Sequence, residues 1–188
     1  MSNSLRAQIE SFVPLTDAEF DLVLSFFTEK KFRKHQFMVQ EGSFVPHYFF
    51  IVHGLTKSFF VDETAREHIL DLSMDNNWVT DMQAFHLQEK TKLNIYCLED
   101  CETLAITLQN IEKLCSDLGK MQYFFRQKAI DENILLQRRI QCFVSNNATN
   151  RYHQLIAKNP ELIQRVPKKL IASYLGVSRE TLSRLILQ

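Results

Sequence analysis

The spacing of apolar positions along the chain changes character twice. Residues 5–12 and 17–27 carry them at helical intervals, with Thr16 or Asp17 placed to cap the second segment and Leu22, Val23, Phe26 and Phe27 forming its stripe. From Lys31 the pattern becomes a series of short runs rich in Phe, Val, Ile and Leu, at 32–39, 47–52, 55–61, 68–72, 93–98 and 103–107. Turn signals fall at Glu41–Gly42–Ser43, His53–Gly54 and Asp75–Asn76–Asn77. Short strands at such intervals predict an antiparallel, jelly-roll-like β-roll or barrel.

Beyond Ile106 the helical period returns. Residues 110–115 read as a short helix, and 120–144 run without Pro or Gly, nearly 40 Å of helix at about 1.5 Å per residue. Its apolar positions (Met121, Phe124, Phe125, Ile130, Ile134, Leu135, Ile140, Phe143, Val144) are too many for a helix lying alone on a surface. A helix this long overhangs a roll of the expected size, so it is expected to be partly buried by a second copy of itself. A break is expected at 145–147, then a short helix over 150–158 that ends at Asn159–Pro160.

The last twenty-odd residues carry the most specific pattern, helix–turn–helix over 168–184. Pro167 suits a first helical turn, where its missing N–H costs nothing. Ile171, Leu175, Val177, Leu182 and Leu185 fall where two crossing helices share a core, and Ala172 sits at the crossing, where only a small side chain fits. Gly176 suits the left-handed end of the first helix, and Ser178 can cap the second. With the apolar positions inward, Arg179, Glu180, Ser183 and Arg184 point out from the start of the second helix, the part that enters a major groove. Arg can bond guanine O6 and N7 together, and Glu can accept from cytosine N4. Arg165, Lys168 and Lys169 flank this face as expected phosphate contacts.

Composition sharpens this picture in two places. The formal net charge is zero, yet residues 1–125 hold 11 Lys and Arg against 18 Asp and Glu, while 126–188 hold 11 against 4. The −7 and +7 halves describe a two-part protein whose C-terminal part meets something negative. The 15 Phe imply a core rich in aromatic volume, which suits pleated surfaces. The longest charge-free run, 42–56, is too short and too polar to span a membrane, and Arg6 and Glu10 interrupt any apolar signal core. A cytoplasmic protein with four reduced cysteines (Cys97, Cys101, Cys115, Cys142) is therefore expected.

The segment Gly176–Val–Ser–Arg–Glu–Thr–Leu–Ser–Arg184 resembles the recognition helix of the Crp/Fnr family of bacterial transcription regulators. Glu41–Gly42 followed by Tyr48–Phe–Phe–Ile–Val–His–Gly54 is similar to that family's early strand pair. The resemblance spans essentially the whole chain. It implies an α+β protein with an antiparallel β-roll sensor domain with N-terminal helices (1–117), a long dimerisation helix (118–145) and a small all-α helix-turn-helix domain (146–188). It also implies that Arg179, Glu180 and Arg184 read base edges, with Ser178 and Thr181 near phosphates. The implied partners are double-stranded DNA with a pseudo-palindromic operator, a second copy through the long helix, and RNA polymerase.

Departures from the family pattern bear on the ligand. Members that bind cyclic AMP carry a phosphate cassette with Gly-Glu and, further on, Arg-Ser or Arg-Thr. Here the corresponding stretches are Trp78–Val–Thr–Asp–Met82 and Lys90–Thr–Lys–Leu93. The pocket so implied comprises Thr80, Asp81, Lys90, Thr91 and Lys92, with Leu136 and Gln137 where the family's adenine contacts fall. Asp81 reaches less far than Glu, and Lys is not a bidentate equivalent of Arg. Cyclic AMP is therefore disfavoured, and another signal or small ligand is expected in the roll.

Iron–sulfur ligation lacks its cysteine cluster, since no Cys-x-x-Cys occurs, and nothing singles out His47, His53, His68 or His86 as a haem ligand. Cys97 and Cys101 are expected to be small buried hydrophobes that need not converge. No metal site, cofactor or catalytic residue is expected, because the His-x-His, nucleophile-elbow, phosphate-loop and His-Glu-x-x-His patterns are all missing from the sequence. The expectation is a homodimeric DNA-binding regulator and not an enzyme. Two alternatives stay open: a cyclic-nucleotide-responsive regulator using Asp81 with Lys90 or Lys92, and a dimeric ligand- or partner-binding module without DNA binding.

Overall fold

In the computed structural model, residues 3–145, 148–158 and 160–186 are described. Two helices open the chain, α1 (Asn3–Glu10) and α2 (Asp17–Ser25). Thr16 starts α2 with a reciprocal cap: its hydroxyl accepts the Glu19 N–H while the Glu19 carboxylate accepts the Thr16 N–H.

Eight strands follow: β1 (Thr28–Phe32), β2 (Phe37–Val39), β3 (Tyr48–His53), β4 (Leu55–Val61), β5 (Glu67–Met74), β6 (Trp78–Val79), β7 (Asn94–Cys97) and β8 (Cys101–Ile106). They form two antiparallel four-stranded sheets, ordered β1-β8-β3-β6 and β2-β7-β4-β5, so the roll is two facing sheets and not a closed barrel. The expected single strand over 32–39 is two. His35 takes a left-handed backbone (φ 73°) in the connecting turn, where the Lys34 N–H donates to Asp100 Oδ1 and the His35 N–H to the Cys97 carbonyl.

A short helix, α3 (Met82–Leu87), lies between β6 and β7 and was not expected. The aromatic residues fill the centre, with Trp78 between Tyr48 (4.7 Å between ring centres), Phe50 (5.4 Å) and Phe124 (6.3 Å).

After α4 (Leu108–Asp117), α5 (Lys120–Ser145) runs for 26 residues, about 39 Å at 1.5 Å each. Met121 and Phe124 anchor its start in the roll's core. Further along, Glu132 accepts the Tyr48 hydroxyl at 2.7 Å and pairs with Lys128. The C-terminal part consists of α6 (Ala148–Lys158), α7 (Pro160–Arg165), α8 (Lys168–Leu175) and α9 (Arg179–Ile186). The break expected at 145–147 does not begin at Ser145, the last residue of α5; its other two residues, 146 and 147, and the stop at Asn159 lie outside the described set. Pro160 opens α7, a first position that its fixed φ suits.

These terminal helices share their core with the roll. Leu55 and Phe59 of β4 and Ile69 and Leu72 of β5 are buried in one cluster with Leu155, Leu162, Val166, Ile171, Leu175, Leu182 and Leu185. Strand alternation puts Leu55, Lys57 and Phe59 on that face of β4. Lys57 is buried there with its ammonium 4.1 Å from the Phe59 ring centre and ion-paired to Glu67. No described helix is long and apolar enough to cross a membrane.

Candidate nucleic-acid interface

Gly176 sets the angle between the last two helices. It adopts φ +68°, and its N–H bonds the Ala172 and Ser173 carbonyls, closing α8. The Val177 N–H returns to the Ala172 carbonyl at 3.0 Å. Ser178 then caps α9, accepting the Thr181 N–H at 3.1 Å. Ile171, Ala172, Leu175, Leu182 and Leu185 are buried between the helices and the sheet, and Val177 is half-buried. Pro167 sits just before α8, its carbonyl accepting the Leu170 and Ile171 N–H groups.

The polar face of α9 follows from that packing. Arg179, Glu180, Ser183 and Arg184 are exposed, as are Lys168, Lys169 and Ser178, and Thr181 is half-buried. Glu180 is held below the usual carboxylate range by its own backbone N–H, then by the Ser178 hydroxyl, and then by Arg179 and Arg184. Among the described residues, no ion pair engages Lys168, Lys169, Arg179 or Arg184. Four cations and one carboxylate thus stand on a short helix pair, free to meet an anionic surface.

Arg165 is placed differently. Expected beside Lys168 and Lys169, it instead reaches back to the roll. Its Nε and Nη2 donate to Glu99 at 3.2 and 2.6 Å, Nη1 donates to Asp75 at 2.9 Å, and Nη2 also meets the Gly54 carbonyl at 3.0 Å. The two carboxylates raise the guanidinium's pKa further, and Asp75 is held below its usual range against its own burial, first by Arg165 and then by the Gly54 N–H.

Two further arginines hold the terminal helices, one to α5 and the roll and one to each other. Arg139 of α5 lies 3.9 Å over the Tyr174 ring of α8 and 3.8 Å from Asp71, and Arg151 donates to the Leu175 carbonyl at 3.2 Å. Sequence reasoning missed Glu99, Asp75, Arg139 and Arg151, whose partners lie far away along the chain and leave no local signal.

The residues expected around a ligand are only partly brought together. Asp81 is buried and caps α3, one oxygen accepting the Gln83 and Ala84 N–H groups and the other the Thr91 hydroxyl at 2.5 Å. Thr91 also accepts the Leu93 N–H, and Thr80 donates to the His47 carbonyl. Lys90 and Lys92 are exposed. Gln137 is exposed on α5, and Leu136 lines an apolar groove of about 350 Å³ with Leu70, Arg139, Ile140, Phe143 and Val144.

Cys97 and Cys101 are both buried, as expected of small hydrophobes; the Cys101 Sγ donates to the Leu55 and Glu99 carbonyls at 3.8 and 3.4 Å, and the neighbouring thiol together with burial drives the Cys97 pKa up. Among the described residues, no three His, Cys, Asp or Glu gather as metal ligands.

A two-sheet roll, a long helix leading out of it and a terminal helix-turn-helix together make up the fold. Residues 29–117 match the cyclic nucleotide-binding domain family, and the whole arrangement is similar in fold to solved structures of Crp/Fnr regulators.

FixK2 from Bradyrhizobium japonicum superposes with a TM-score of 0.73 at 16% identity, over 86% of this chain and 83% of that one. The c-di-GMP-responsive global regulator CLP from Xanthomonas campestris gives 0.68 at 14%, over 92% and 90%. The catabolite activator protein of Thermus thermophilus gives 0.59 at 20%, over 96% and 85%. Each likeness is one of fold. No curated protein matches the sequence closely enough to count as a relative.

Proposed function

We propose that this chain is a sequence-specific DNA-binding transcription regulator that works as a homodimer in the cytoplasm and is not an enzyme. The observation that carries the reading is the outward face of α9, where Arg179, Glu180, Ser183 and Arg184 are exposed while Leu182 and Leu185 are buried. Two guanidinium groups and a carboxylate at the start of a recognition helix can meet guanine and cytosine edges. Lys168, Lys169, Ser178 and Thr181 flank them and serve the phosphates, which position without reading sequence. RNA polymerase is the expected further partner.

Dimerisation is supported by the far half of α5. Ile130, Ile134, Leu135, Leu136, Ile140 and Val144 are exposed in the single chain, more apolar surface than a lone helix presents to water. Two copies joined along this helix would set the recognition helices about one DNA turn, roughly 34–36 Å, apart. A signal in the roll would act by favouring one arrangement of these helices over another.

Cyclic AMP is not favoured as that signal. Asp81 has both oxygens engaged inside the protein, and Thr91 stands where the phosphate-pairing Arg would be. Selection from a random duplex library tests the function. A two-fold symmetric site bound by a dimer is expected; recovery of no consensus, or of monomeric complexes only, would refute the reading.

A further inference from the structure

Beyond the shared apolar core, the guanidinium of Arg165 joins the acidic roll to the basic C-terminal helices. Arg165 ends α7 three residues before the exposed Lys168, and three loops of the roll close on it: Gly54 between β3 and β4, Asp75 after β5, and Glu99 between β7 and β8. Glu99 takes it as a two-toothed pair through Nε and Nη2, the geometry with which a guanidinium also grips a phosphate. Asp75 is itself braced, accepting the Gly54 N–H at 2.6 Å. Phe59, Ile69 and Leu72 lie in one buried apolar cluster with Leu162 and Val166, which seats the helices on the sheet.

We propose that Glu99 and Asp75 are an internal substitute for DNA phosphate: they hold Arg165, and with it the C-terminal helices, on the roll, and a duplex competes with them for that cation. The inference rests on the DNA-binding reading above and adds a restraint to it. Arg165 is removed from the phosphate-contacting set while docked, so binding in which Arg165 contacts a phosphate requires the clamp to open. Because all three loops belong to the roll, a change there that shifts Gly54, Asp75 or Glu99 alters how firmly the helices are held. The coupling needs no contact between a signal and the helices themselves.

The test is DNA binding as a function of salt for the full-length protein, the double variant Glu99→Gln/Asp75→Asn, and both in an Arg165→Gln background. Neutralising the clamp should tighten binding by about tenfold, within the usual 5–150-fold range of coupled sites. It should also steepen the salt dependence by about 0.9 per Arg165 released to a phosphate. Both gains should vanish with Arg165→Gln.

Amide exchange over 160–175 should quicken in the clamp variants, and Glu99→Gln alone, which spares the Asp75 turn, should show the same effects in smaller measure. Unchanged or weaker binding by the clamp variants, or gains that survive Arg165→Gln, would overturn the competition while leaving the regulator reading intact. Failure of every form, wild type included, to bind any duplex would overturn both.

Discussion

Phe59 reports on whether the terminal helices sit on the sheet. It projects from β4 and is 4% exposed, buried in the cluster formed with those helices, under the Lys57 ammonium at 4.1 Å. Phe59→Ala removes on the order of 150 Å² of buried apolar surface, worth about 4 kcal/mol at roughly 25 cal/mol per Å². Loss of the cation–ring contact adds about 0.5–2 kcal/mol, offset in part because Lys57 keeps Glu67 and the Tyr96 ring. Partial collapse of the cavity brings the total to about 3–5 kcal/mol, a large share of the 5–15 kcal/mol of an ordinary domain. Urea unfolding followed by circular dichroism measures it as a fall in midpoint. A cost below about 1 kcal/mol would mean that Phe59 faces water and that the helices do not cover β4 and β5.

Two further outcomes follow from local geometry. Gly176→Ala should lower stability by about 1–2 kcal/mol, because an L residue at φ +68° is strained and the new Cβ would stand 3.3 Å from Phe143; thermal unfolding reads this, and no change would contradict the left-handed junction. Asp81→Ala should cost about 2 kcal/mol through the lost α3 cap and the lost bond from the Thr91 hydroxyl, while calorimetric titration of the wild-type protein with cyclic AMP should show no saturable heat; saturable binding would restore Asp81 to a ligand role.

What the sequence made legible was local. Ile171, Ala172, Leu175, Leu182 and Leu185 carry the helical period, and Gly176 and Ser178 mark the turn between them, so the helix pair could be read from eighteen or so consecutive positions. The long α5 was legible for the same reason. The turn at His35 was hidden because no Gly or Pro marks it; its one local sign is the polar run 33–36 between Phe32 and Phe37. Helix α3 was hidden because six residues are too few to show a period, and its start depends on the Asp81 cap. Pro160 reads as a stop but serves as a first helical position.

Arg165 shows the larger gap. Its neighbours in sequence are basic and point to phosphate, whereas its partners, Glu99 and Asp75, lie 66 and 90 residues away and arrive only through the packing of the whole roll. Lys57 is similar, a charge in a strand whose burial depends on Phe59, Tyr96, Glu67 and the helices above.

Base reading by α9 is tested most directly by comparing the selected site with random duplex for three variants. Arg179→Ala and Arg184→Ala should each reduce the preference for the selected site by about 1–3 kcal/mol, while Lys168→Ala should weaken both duplexes alike and lower the salt slope by about 1. Equal losses on both duplexes for all three variants would contradict sequence recognition by this helix.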